Sequence, residues 1–256
     1  MQSYLCNSHV SSSFCYLHSV FIPQVMLQTK LQQELNNFHL VVPFNPQHDR
    51  LLRMDFTAAN KDINEGLLLN TDAFSQYIDA LLQRNDYTYG IGGYNEHRTI
   101  YSRSQVFDAG SNSAEPRRLH LGIDIWGKAG TPVFAPLDGV VHSFAFNNRF
   151  GDYGATIILQ HQFNSEPFHI LLGHLSLVDL GNLTAGKQVN RGEVIGHFGK
   201  PFENGGWPPH LHMQLIENMQ NYVGDYPGVC RFSEREEYLR NSPDPDLILG
   251  MMQYAK

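Results

Sequence analysis

Cysteine, basic charge and long apolar runs are all scarce in this 256-residue chain, and each scarcity closes off a class of protein. Three cysteines, Cys6, Cys15 and Cys230, are too few and too scattered for a disulfide framework or a Cys-rich metal site, and read as unpaired thiols in a reducing compartment. Lys and Arg total 18 against 25 Asp and Glu, so the net charge of −7 offers no basic footprint for nucleic acid or an anionic membrane. No apolar run approaches the roughly 18 residues a membrane span requires. Charge of either sign is missing from residues 1–29. A secretory signal needs a positive start, an apolar centre and a small-residue cleavage site. Here the start is uncharged, and the apolar residues are interrupted by Ser, His, Cys and Pro23. The stretch therefore reads as a disordered leader over 1–25, or as sequence ahead of a natural start at Met26. On that reading a cytoplasmic location is favoured over export.

What is present suits a globular protein: 42% apolar and 17% charged residues. Leu27, Leu31, Leu35 and Phe38 step by four and three, predicting an amphipathic helix within 26–40. Phe74, Ile78, Leu81 and Leu82 predict a second helix over 71–84, with Thr71 as its N-cap. Residues 86–110, rich in Gly, Tyr, Asn and Ser, keep no period and read as loops or short strands. From about residue 116 to 222, short β-branched and aromatic runs alternate with Gly and Pro. Asp138-Gly139 predicts a hairpin between 131–136 and 140–144, and 156–159 with 168–172 form a second strand pair. The expected organisation is an N-terminal extension over 1–110, partly helical after its leader, a β-sheet core over 111–222 and a C-terminal extension over 223–256. The fold class is mainly β, an antiparallel, sandwich-like core.

Within the core, three places carry chemistry. His210 and His212, two apart on a strand, share one face at about 6.8 Å between Cα atoms. One could meet a metal while the other stands beside whatever the metal holds. His120 and Asp124 would lie about 13 Å apart if extended, so the chain must turn between them to reach one ion, and Gly122 permits it. His174 follows an apolar strand and a glycine. Taken singly, each is more commonly an ordinary surface or core residue. Together they supply more ligands than the three a catalytic zinc keeps, with histidines left for proton transfer.

The motifs His120-Leu-Gly-Ile-Asp124, Gly130-Thr-Pro-Val-Phe-Ala-Pro-Leu-Asp-Gly139, Gly173-His174-Leu-Ser, Arg191-Gly-Glu-Val-Ile-Gly196 and Pro209-His210-Leu-His212 resemble the lysostaphin-like, LytM-type zinc endopeptidases over about residues 116–217. The resemblance implies a core of the duplicated hybrid motif type with a groove across it. It also implies zinc held by His120, Asp124 and His212, a catalytic pair His174 and His210, and a peptide or peptidoglycan-fragment substrate. Which histidine of the pair is the general base is open. Two departures from the family pattern, Gly205-Gly206-Trp207-Pro208-Pro209 before the His-x-His and Leu172 two before His174, touch the groove wall and bear on substrate preference. Two other readings stand beside the endopeptidase: a zinc hydrolase of a cytosolic peptide or metabolite, and a non-catalytic regulator using the same groove. Residues 26–40 and 71–110 could also fold over the groove and offer a group such as Asn95 or His97 to the metal's open position, the alternative being simple packing. Tyr153 is a candidate for the groove lining.

Overall fold

A computed structural model describes residues 27–32, 37–108, 115–163 and 166–256. The leader over 1–25, Met26, Cys6, Cys15 and Leu35 lie outside the described residues.

Alternation of apolar and polar side chains builds the sheet. In chain order the strands are β1 (Leu51–Arg53), β2 (Tyr89–Gly92), β3 (Leu119–His120), β4 (Ile123–Trp126), β5 (Pro132–Phe134) and β6 (Gly139–Asn147). They continue as β7 (Gly154–Phe163), β8 (Glu166–Leu175), β9 (Gln188–Val189), β10 (Val194–His197), β11 (His210–Ile216) and β12 (Val229–Cys230). Eight of them form one sheet in the order β1-β2-β4-β11-β8-β7-β6-β9, antiparallel except for the β1/β2 pair. The mainly β, antiparallel core expected from the sequence is what the chain adopts.

Period-two alternation then sorts the two faces. Ile123, Ile125, Ile157, Leu159, Ile170, Leu172, Leu211, Met213 and Leu215 point into the main core. The two-stranded sheet β5/β10 contributes Val133 and Ile195 to the cover over this face, so the second layer is much the smaller one. Each fully buried aliphatic side chain contributes roughly 1.5–3 kcal/mol. Stability is therefore concentrated on this face. The opposite face of β4 and β11 is left to Asp124, Trp126, His210, His212 and Gln214, all buried beneath other parts of the chain.

Several local expectations are corrected. β5 pairs with β10, not with β6, so Asp138-Gly139 does not close the expected hairpin. The residues after Gly139 instead pair with β7 and β9, because the long apolar β7 and β8 supply a better partner surface than a three-residue strand can. The pairing of 156–159 with 168–172 holds, through β7 and β8. The first helix, α1, is short (Leu27–Gln32), and Phe38 lies beyond it. After α2 (Glu65–Leu69), α3 spans Thr71–Arg84 as expected, with Phe74, Ile78 and Leu82 buried. Its N-cap is Asn70, whose side chain accepts from the Ala73 N–H at 3.0 Å. Thr71 instead donates its hydroxyl to the Gly206 carbonyl, a tertiary bond 135 residues away in sequence.

The stretches flanking the core frame it. β2 pairs with β4 in the register Gly90↔Trp126, Ile91↔Ile125 and Gly92↔Asp124, so the main sheet continues into residues before 110. β12 pairs with β3 and fixes His120 opposite Val229. Beyond it come α4 (Arg235–Asn241) and α5 (Asp246–Leu249), from which Ile248 and Leu249 enter the main core. Among the described residues no helix is long and apolar enough to cross a membrane.

Candidate metal centre

His120, Asp124 and His212 converge where β3, β4 and β11 meet, and one ligand atom from each lies within 4.8 Å of the others. The bend at Leu121-Gly122 brings Asp124 back toward His120. Gly122 is required there by crowding and does not use a left-handed φ: a Cβ would lie 2.5 Å from the His212 imidazole.

Hydrogen bonding fixes the protons. His120 Nδ1 lies 2.9 Å from the Gly93 carbonyl, which only accepts, so Nδ1 carries the hydrogen and Nε2 is bare. Gln214 uses its amide nitrogen on the Pro227 carbonyl, so its oxygen faces His212 Nε2 at 3.2 Å and accepts from it. His212 Nδ1 is then bare as well. The two bare nitrogens are 2.9 Å apart, and Asp124 Oδ1 sits 3.0 Å from one and 3.3 Å from the other. Three lone pairs facing one another repel unless a cation lies among them. Their separations suit a tetrahedral ion with bonds near 2.0–2.1 Å, whose ligand–ligand edges are about 3.3 Å. The donor set fits a divalent metal, and two imidazoles with one carboxylate favour zinc over calcium or magnesium.

Electrostatics agree. Burial drives the His120 pKa down to about 3, with the neighbouring Arg98 charge adding to the effect. Burial alone would raise Asp124, but the Arg98 charge paired with it opposes this, and the carboxyl is held well below its usual range. His120 and Asp124 are thus in the deprotonated forms that a metal would bind.

His174 and His210 lie beside this cluster with ring centroids 4.1 Å apart. Nδ1 of His174 donates to the Asn204 carbonyl at 2.8 Å, and Nδ1 of His210 donates to the Pro208 carbonyl at 2.7 Å. Each ring thus has a bare Nε2. Burial lowers His210 to about 4 and His174 well below its ordinary value, so both are neutral bases at pH 7.

His174 reaches the site through a break in alternation. Its parity would place it with Ile170 and Leu172 in the core. Between Leu172 and Leu175 the β8 strand carries one residue more than the facing stretch of β7, and His174 takes a left-handed φ of 61°. This bulge turns the imidazole to the site face and returns Leu175 to the core. Gly173 is obligatory beside it, since a Cβ would come within 2.6 Å of the Tyr153 ring.

All five side chains line one cavity of about 220 Å³, walled by Tyr101, Phe107, Tyr153 and Trp207. Tyr153 thus lines the groove as expected. The side chains of Asn95 and His97 do not enter the cluster, although the Asn95 N–H donates to the His120 carbonyl at 2.9 Å. Asn95 accepts from Arg235, and His97 packs against Phe232. The residue from that segment that does arrive was not anticipated: Arg98, fully buried and paired with Asp124. An arginine two residues after Glu96 in a polar loop carries no periodicity or spacing that could have singled it out.

The sheet thus gathers a His-Asp-His cluster that could hold a metal ion beside two further histidines in one cavity. Residues 118–223 match the model of Peptidase family M23. The DD-carboxypeptidase/endopeptidase Mpg of Neisseria meningitidis serogroup B is 35% identical over 131 residues, which cover 50% of this chain and 28% of Mpg. The chain thus spans under a third of that relative's length. The L-Ala--D-Glu endopeptidase of Bacillus subtilis is 34% identical over 150 residues, 55% of this chain and 43% of that protein. Among solved structures, the catalytic domain of lysostaphin from Staphylococcus simulans is 22% identical, covering 64% of this chain and 96% of that one, with a TM-score of 0.36.

Proposed function

We propose that this domain is a zinc endopeptidase that hydrolyses peptide bonds in peptidoglycan-derived peptides. The observation that carries the reading is the convergence of three bare ligand atoms beside two neutral imidazoles whose Nε2 atoms are free to accept a proton. His120 Nε2, Asp124 Oδ1 and His212 Nδ1 would hold the ion. When bound, zinc would lower the pKa of a water to about 7 and polarise a carbonyl.

The remaining work falls to the chain. Nε2 of His174 or His210 accepts a proton, for which a positioned base typically contributes about 10²–10⁴-fold. The imidazolium so formed becomes a donor that can stabilise a developing oxyanion or protonate the leaving amine. With their rings 4.1 Å apart, a proton on one opposes a proton on the other, so the pair holds one at a time. The cavity of about 220 Å³, with aromatic walls, leaves room beside these rings for a peptide segment. Support for a peptidoglycan substrate comes from a relative named peptidoglycan DD-endopeptidase, ShyC of Vibrio cholerae, 28% identical over 149 residues.

The test is digestion of defined muropeptides by the zinc-loaded protein, read by mass spectrometry. Cleavage abolished by chelation and by His174→Ala, with zinc retained in the variant, is the expected result. A zinc-loaded protein that cleaves no stem or cross-link bond would overturn the substrate assignment.

A further inference from the structure

The outer frame of the metal cluster comes from residues 92–98, ahead of the 118–223 segment that matches the family model. Gly92, which ends β2, and Gly93 just beyond it place two carbonyls on the site. The Gly93 carbonyl accepts from His120 Nδ1 at 2.9 Å, and the Gly92 carbonyl accepts from a terminal nitrogen of Arg98 at 3.2 Å. The other terminal nitrogen of Arg98 donates to Asp124 Oδ2, and its Nε donates to Glu96 at 2.7 Å. Every face of the guanidinium is engaged: Phe56 lies 5.2 Å from its carbon, and the Tyr101 hydroxyl lies 3.4 Å from the nitrogen that bonds Asp124. Gly93 makes this placement possible, for a Cβ there would overlap the guanidinium at 1.6 Å.

The two oxygens of Asp124 are thereby divided. Oδ1 faces His120 and His212, while Oδ2 is taken by Arg98. A carboxylate left to itself can offer a metal one oxygen or both. Here the second oxygen sits in a buried, charge-assisted hydrogen bond and is withheld. We propose that Arg98 is a positioning residue of the metal centre, holding Asp124 to a single ligating oxygen and so keeping a coordination position open. This rests on the reading that His120, Asp124 and His212 bind a metal. A lysine cannot replace it, because a single ammonium cannot reach Asp124, Glu96 and the Gly92 carbonyl with a planar fork.

Cobalt substitution of the full chain tests this without recourse to activity. With cobalt, the wild-type protein is expected to show the intense visible bands of a four-coordinate ion. In Arg98→Lys those bands should weaken as Asp124 supplies both oxygens, and zinc affinity, measured by chelator competition, should fall roughly 10–100-fold, the usual effect of losing a partner that orients a ligand. A role in folding alone would lower the melting temperature of the metal-free protein and leave the spectrum of the folded fraction unchanged. If Arg98→Lys does not fold, Glu96→Gln removes only the outer anchor of the guanidinium and should shift band intensity and affinity the same way, by less. A folded variant with wild-type spectrum and affinity overturns the role of Arg98 while leaving the metal site standing. A wild-type chain that binds neither cobalt nor zinc overturns the metal site as well.

Discussion

Trp126 and His210 lie face to face, with ring centroids 3.9 Å apart and planes inclined by only 10°. The indole comes from β4 and the imidazole from β11, in register across the ladder. Together with the Nδ1 bond to Pro208, the stack leaves His210 one orientation, with Nε2 toward the cavity. Trp126→Phe retains a ring and should keep turnover within a few-fold. Trp126→Leu should keep the metal and lower kcat by roughly 10- to 100-fold, as misplacing a reacting group does. It should cost less than the roughly 3–5 kcal/mol of truncation to Ala. Steady-state kinetics beside zinc analysis would decide, and unaltered kcat in the Leu variant would show that the stack is dispensable.

Gly122 is occupied by neighbours on the His212 side. Gly122→Ala should push the imidazole off Asp124 and weaken zinc binding, with a stability loss of about 1–3 kcal/mol from overpacking. Equilibrium dialysis with metal quantification is the measurement. Wild-type zinc occupancy at limiting metal would contradict it.

Asn204 holds the loop that orients His174. Its side chain bonds the Gly199 and Trp207 carbonyls and the Trp207 N–H, while its own carbonyl receives His174 Nδ1. Asn204→Ala should cost roughly 1–3 kcal/mol through unpaired backbone groups. Turnover should drop while zinc stays bound. Loss of zinc together with turnover would place the loop's effect on the metal ligands instead.

A second group of imidazoles, His142, His161 and His169, lies on β6, β7 and β8, apart from the metal ligands. Burial, reinforced by His142, lowers His169 to about 4, and its Nδ1 is buried without a partner. His161 and His142 are lowered by burial as well. An imidazole with a folded pKa near 4 and an unfolded pKa near 6.5 takes up a proton on unfolding anywhere between those values. Stability should therefore fall as pH drops from about 6.5 to 4. His169→Gln should flatten that dependence without altering metal content. Chemical denaturation across this window would show it, and an unchanged slope in the variant would assign the acid sensitivity elsewhere.

Much of the site was legible in the chain, because its ligands sit on regular strands. His210 and His212 at i and i+2, with Leu211 between them and Met213 after, announce a two-faced strand. The spacing of His120 and Asp124 demanded a bend, and the structure has one at Leu121-Gly122. Residues 132–144 were misread because a local turn signal competes with partners that are remote in sequence. The same holds for the cap of α3, where Thr71 is drawn to Gly206 and leaves the capping to Asn70.

The sequence by itself determined the β core, through period-two alternation, and singled out, through motif order, the five side chains that the structure gathers in one cavity. Tertiary structure alone decided which face His174 takes, since a bulge and a positive φ override alternation. It alone brought Arg98 to Asp124, 26 residues away, and set the two carbonyls of Gly92 and Gly93 around the cluster. The physical reason is common to both. Alternation reports only how a strand meets its immediate core, whereas a buried guanidinium is placed by the partners it must satisfy, and those partners come from three separate segments.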